Sequence, residues 1–215
     1  MADNDSPAET GATLGKGRME GFSDGVMGFA ITLLVINIAV RPPGSPAEQF
    51  FHAWPSYLAY LVSFLTIGGA WIAHHGLTDQ LGRVDSILLR LNLVFLLGIA
   101  FLPFPTSLVV EALHKSTAWE RLAAVVYGLT LLVIRLLFSA MGEYARRKDL
   151  RRPGVDDPDL DEAHKKFRYA VAAYVLTILV GLLVPTVAIF LYFAVAVYLF
   201  VPFRTVYQAI IGKTE

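Results

Sequence analysis

The sequence predicts an all-α, polytopic membrane protein with six transmembrane helices and both termini in the cytoplasm. Three observations predict it. The chain of 215 residues is 55% hydrophobic and only 17% charged, against roughly 45–50% apolar and about 25% charged in ordinary soluble proteins. Its apolar residues gather into six runs, each close to the ~20 residues a helix needs to cross a bilayer. Lys and Arg fall very unevenly between the connecting segments. Helices are the form that fits. Backbone groups in hydrocarbon must be paired within the segment or in a closed barrel, and these runs lack the alternation of barrel strands.

Residues 1–15 are polar, acidic and rich in Gly, Ala and Thr. They read as a disordered tail, without the basic start and apolar stretch of a signal peptide. The first helix is expected at about 19–40, stopped by Arg41-Pro42-Pro43, since two prolines cannot continue a helix. The second is expected at about 55–76. The third, at about 87–110, carries Pro103 and Pro105 near its end, and the fourth spans about 118–142. The fifth, about 168–184, and the sixth, about 186–206, meet at Pro185 as a helical hairpin, because one crossing of their combined length far exceeds a bilayer. Residues 16–210 then form one membrane unit. It shows no internal repeat, which counts against the inverted-repeat plan of secondary transporters.

Orientation follows from charge. An even number of helices puts both termini on one side. That side holds fourteen Lys and Arg, against three on the other, with Arg135 inside the fourth helix. The positive-inside rule makes the basic side cytoplasmic, in a cell (plasma or inner) membrane. The loop after the fourth helix carries eight of those fourteen, interleaved with acids such as Asp149 and Asp156, and reads as a solvated connector. Net charge is zero, which gives no general attraction to nucleic acid. No cysteine is present, so disulfides, thiolate-held metals and thiol catalysis are excluded. No nucleotide loop or catalytic triad order is visible, and an enzyme has no support.

Ionisable residues at membrane depth each need an explanation. Arg18, Glu20, Ser23 and Asp24 on the first helix, His74 and His75 on the second, and Arg90 and Asn92 on the third all fall near the cytoplasmic ends. They fit either a polar clamp between three helices or a proton relay with His as the titrating group. A metal site fits poorly. Adjacent His74 and His75 point about 100° apart on a helix, and metal pairs use i, i+3 or i, i+4 spacing. Arg135 either snorkels or pairs with an acid on another helix or subunit.

On a helical wheel of the first helix, Phe29, Leu33 and Ile36 fall on one stripe, extended by Phe22 and Val40. Thr32 sits about 60° off it and Asp24 about 140° away. Gly21, Gly25 and Gly28 form an edge that permits close backbone approach. Taken alone, such a stripe faces lipid or a neighbouring helix far more often than a pore.

Specific motifs sharpen this. Arg18-x-x-x-Phe22-Ser23-Asp24-Gly25-Val26 precedes Ala30-Ile31-Thr32-Leu33-Leu34-Val35. Trp71-x-x-His74-His75 closes the second helix, Leu91-Asn92-Leu93 opens the third, and Leu102-Pro103-Phe104-Pro105-Thr106-Ser107-Leu108 ends it. Together these resemble the endosomal/lysosomal potassium channel (transmembrane protein 175) family, in its prokaryotic branch of single six-helix units. The resemblance is sharpest in helices one to three.

The resemblance implies a homotetramer in membrane lipid, with the first helix of each unit lining the pore. It implies passive, potassium-preferring conduction of monovalent cations through a hydrophobic constriction. This chain has no TVGYG-like filter segment. By spacing from Asp24, the constriction is expected at Phe29, Leu33 and Ile36, with Thr32 a polar neighbour. Arg18, Ser23 and Asp24 are expected to pack behind the pore with His75 and Asn92. Relatives commonly carry Ile or Leu where Phe29 stands, so its ring is a departure. No cofactor or protein-ligated metal is expected, only potassium as the permeant ion. The alternative activity is a proton-coupled small-solute transporter built on an Asp/His relay; a non-conducting membrane scaffold is a third class.

Overall fold

A computed structural model describes residues 7–38, 45–112, 116–154 and 160–200. The expected end of the last helix beyond 200 and Val40 of the first-helix stripe lie outside them.

The described residues fold as eight helices: α1 (Pro7–Leu34), α2 (Pro46–His52), α3 (Trp54–Asp79), α4 (Ser86–Phe101), α5 (Pro103–Ala112), α6 (Thr117–Arg147), α7 (Leu160–Leu183) and α8 (Pro185–Phe200). Three spans are long and apolar enough to cross a membrane: Ser56–Asp79, Ser86–Ala112 and Thr117–Arg147. Two shorter helices, Phe167–Leu183 and Pro185–Tyr198, are also apolar.

Several boundaries differ from expectation, for local reasons. α1 starts at Pro7, so residues 7–15 are helical where a disordered tail was expected. Proline suits the first turn of a helix, and Ala8, Glu9 and Ala12 are compatible with continuing it. The α-helix stops at Leu34, short of residue 40, and a 3-10 turn covers Val35–Asn37 before extended backbone at Ile38. α2 was not anticipated. Ser45 and Glu48 form a reciprocal capping box, the Ser45 amide donating to the Glu48 carboxylate at 2.9 Å and the Glu48 amide to Ser45 Oγ at 3.4 Å. Pro46 occupies the first helical position.

The third expected helix is divided at Leu102 into α4 and α5, because Pro103 and Pro105 lack the amide hydrogens that would continue the ladder. Asp85 caps α4, accepting from the amides of Ile87 at 3.1 Å and Leu88 at 2.7 Å. α6 runs to Arg147, past the expected stop at 142, and Glu143 bonds Arg146 and Arg147 in its last turns. α7 and α8 pack together and are separated only by Val184.

α1 packs chiefly on α3 and α4, while α6, α7 and α8 pack on one another and on α3–α5. Phe95, Leu88, Ile99 and Ile67 are buried at the centre. A hydroxyl chain crosses it. Thr106 Oγ1 donates to the Leu102 carbonyl at 2.8 Å, Ser63 Oγ lies 2.8 Å from Thr106 Oγ1, and Tyr127 OH lies 2.9 Å from Ser63 Oγ. Each hydroxyl has one proton, so the chain runs Tyr127 to Ser63 to Thr106 to backbone. It ties α3, α5 and α6 with every donor used, as interhelical glue.

Candidate functional site

Two faces of α1 differ in kind. Toward its own bundle it buries Met19, Ser23, Met27, Ala30 and Leu34. On the opposite face Phe22 is 54% exposed, Phe29 66% and Ile36 73%. Thr32 is exposed, with its hydroxyl donating to the Phe29 carbonyl at 2.8 Å. Leu33 lies half-buried on the flank of this open face. Gly21, Gly25 and Gly28 lie on it too, and a Cβ built on any of them meets nothing within 4 Å among the described residues. The uncovered surface is therefore wider than the Phe29–Leu33–Ile36 stripe and is centred nearer Thr32 and Gly25. Ile36 sits in the 3-10 turn rather than the α-helix. Its direction is thus offset from the 100° wheel, because that turn advances about 120° per residue.

The polar residues behind this face form two separate bridges. The first is buried. Ser23 Oγ donates to the Met19 carbonyl at 2.8 Å and accepts from Asn92 Nδ2 at 3.0 Å, while His74 Nε2 lies 2.8 Å from Asn92 Oδ1. With the amide nitrogen donating to Ser23, the Asn92 oxygen is an acceptor, so His74 carries its proton on Nε2. Donors run from α3 through α4 to α1 and end on a backbone carbonyl. The His74 ring stacks on Phe95, which contacts Phe138, joining the bridge to α6.

The second bridge is more open. Trp71 Nε1 donates to Asp24 Oδ1 at 2.8 Å, and its ring stacks on His75. His75 Nε2 lies 3.4 Å from the Asp79 carboxylate, both groups largely exposed. Trp71 and His74, three residues apart, thus reach α1 and α4 from one turn of α3. The structure brings Ser23, Asn92 and His74 together, and Asp24 with Trp71. It does not bring His75 to Asn92, and Arg18 lies exposed one turn before Phe22. Phe22, next to Ser23 in sequence, turns about 100° away from the bridge and is exposed, as are Phe29 and Ile36.

Sequence reasoning missed the Ser63–Thr106–Tyr127 chain. Isolated hydroxyls in apolar runs give no signal until the helices are packed, although Thr106 lies within the Leu102–Leu108 motif.

Comparison with known proteins fits this arrangement. Residues 18–103, which supply both bridges and the open face, match the family model for endosomal/lysosomal potassium channel TMEM175. The chain is 40% identical over 167 residues to a potassium channel of Streptomyces collinus, covering 75% of this chain and 80% of that one. It is 33% identical over 189 residues to a potassium channel of Chamaesiphon minutus, covering 85% and 92%. Its fold matches the crystal structure of a lysosomal potassium-selective channel TMEM175 homolog from Chamaesiphon minutus with a TM-score of 0.71 and 30% identity, over 86% of this chain and 95% of that one. With a family model over residues 18–103, 40% identity to a relative covered to 80% and a matching fold, the chain belongs to the endosomal/lysosomal potassium channel TMEM175 family.

Proposed function

We propose that this chain is the subunit of a potassium-preferring cation channel, a homotetramer whose pore is lined by the open face of α1. The observation that carries the reading is that face. It leaves Phe22, Phe29 and Ile36 uncovered while the other side of the same helix is fully packed. One subunit presents one such helix, and a single helix cannot enclose a pore, so several copies must meet around an axis. Phe29, Leu33 and Ile36 form the constriction, with Thr32 beside it. Potassium crosses a poorly wetted neck more readily than sodium because it holds its water less strongly, and dewetting of the neck gates it. Neither a bound cofactor nor a protein-held metal is required.

In this reading the chain crosses the cell membrane six times, and the excess of Lys and Arg on the side of both termini supports a cytoplasmic location for them. α1 supplies the first span, α4 with α5 the third, and α7 and α8 the last two. The relay reading gains no support from His74. Its Nε2 proton is committed to Asn92, in a chain that ends on a carbonyl.

The test is cation flux into liposomes holding the pure protein. Potassium flux above empty liposomes is expected, and its absence where a known channel conducts would sink the proposal. Leu33→Asn is expected to change conductance and ion preference; if neither moves, Leu33 does not line the constriction.

A further inference from the structure

The α6–α7 groove lies away from the pore-forming face and has a composition of its own. Four arginines and a histidine line it: Arg135, Arg146, Arg147 and Arg151, with His164 from α7. Among the described residues, one carboxylate lines it with them, Glu143, which already accepts from Arg146 and Arg147 at 2.6–2.9 Å. The remaining wall includes Leu136, Phe138, Ala140 and Phe167. The groove holds about 510 Å³, within the range of roughly 300–1,000 Å³ typical of ligand sites.

Its polarity changes with depth. Along α6, Arg135, Ser139, Gly142 and Arg146 recur on one side, and Arg135 lies about 16 Å further from the helix end than Arg146. Arg135 is therefore well inside the apolar part of α6, where an ionised group requires a partner. Its Nε is buried and has no hydrogen-bond partner among the described residues. The nearest lining carboxylate is two turns away and bonded elsewhere. Next to the groove, Leu136, Val133 and Leu129 on the same helix are exposed, so its apolar wall runs into the surface that meets lipid.

We propose that this groove binds an anionic glycerophospholipid of the leaflet facing the basic end of the bundle. The phosphate sits among the rim arginines, Arg135 takes oxygens of the phosphodiester or glycerol esters, and the acyl chains follow Leu136 and the exposed apolar face. Basic pockets between membrane helices recognise such headgroups. A small soluble anion satisfies the rim but leaves Arg135 and the apolar wall without a partner, which favours the lipid.

Native mass spectrometry of the full-length detergent-purified protein, titrated with phosphatidylglycerol or phosphatidylcholine, tests this. The wild type is expected to retain phosphatidylglycerol at least about fivefold better, and Arg135→Gln or Arg147→Gln each to cut that preference about fivefold. Arg121→Gln, at the other end of α6, is expected to leave it intact. If Arg135→Gln does not fold, Arg147→Gln decides alone. Equal retention of the two lipids overturns the proposal, as does a preference unchanged in the folded variants. Displacement of phosphatidylglycerol by millimolar inorganic phosphate also overturns it, because the occupant is then a free anion. The readout is binding and not conduction, so its failure leaves the channel reading untouched.

Discussion

Glycines in two parts of this protein have opposite surroundings. On α1, Gly21, Gly25 and Gly28 face open space, with nothing within 4 Å of a built Cβ among the described residues. In the α6–α8 region, a Cβ on Gly128 would collide with Tyr192 Oη and stand 2.5 Å from Ile178, and one on Gly181 would stand 3.2 Å from Ala124. Small residues in membrane helices mark close approach, but they do not say whose helix approaches. In α6 and α7 the partner belongs to the same chain. In α1 no described part of the chain fills the space, which suits a face completed by other subunits or by a pore.

That contrast can be broken by substitution. The largest expected effect is at Gly128→Ala. The obstructing Tyr192 hydroxyl is buried and donates to the Ala124 carbonyl at 3.0 Å, so it has little room to yield. A loss of about 2–3 kcal/mol in stability is expected, from overpacking and a broken hydrogen bond. Unfolding in detergent measures it, and wild-type stability would show that the close crossing is soft.

Next comes Asn92→Leu, which removes the middle of the His74–Asn92–Ser23 bridge and strands a buried His74 donor. The expected cost is about 1–2 kcal/mol, given the modest worth of interhelical hydrogen bonds in membranes. An unchanged midpoint would mean that the bridge does not hold α1 to the bundle.

A smaller effect belongs to Asp85. Burial pushes its carboxyl up, but the amides of Leu88 and Ile87, the Tyr144 hydroxyl and the charge of Lys148 outweigh it, and the net shift is below the usual 3.8. The folded form therefore binds its proton less readily than the unfolded chain. Its contribution is present above about pH 4 and is lost as pH falls through the folded value. Asp85→Ala is expected to cost about 1 kcal/mol at neutral pH and to flatten the acid limb of the stability curve. A curve parallel to the wild type would contradict that assignment.

The smallest effect on stability is expected for Gly25→Ala with Gly28→Ala. The protomer should keep its midpoint or gain up to about 1 kcal/mol per site from helix propensity, while assembly size or potassium flux changes. If size and flux both stay at wild type, the open face of α1 meets lipid and not other subunits.

Much of this was legible in the sequence. Apolar run lengths located the membrane-capable helices, since bilayer thickness and helix rise leave few alternatives. Pro185 marks a break because proline lacks an amide hydrogen wherever it stands, and the same chemistry at Pro103 and Pro105 divides a helix expected to run on to about 110. The capping box at Ser45 and Glu48 is equally local, but it opens a helix of only seven residues, too short to stand out as an apolar run. Shared depth and the family resemblance both group His75 with Asn92. Depth does not fix azimuth, and His75 instead stacks on Trp71 beside Asp79.

By itself the sequence determined the helices, their membrane character and the motifs of the family, all of which depend on short-range chemistry repeated along the chain. Only the tertiary structure decided which side of α1 is covered, that Asn92 links Ser23 to His74, and that Gly128 is filled while Gly25 is open. Those outcomes depend on how helices far apart in sequence rotate against one another, and one hundred degrees of rotation exchanges a packed face for an open one.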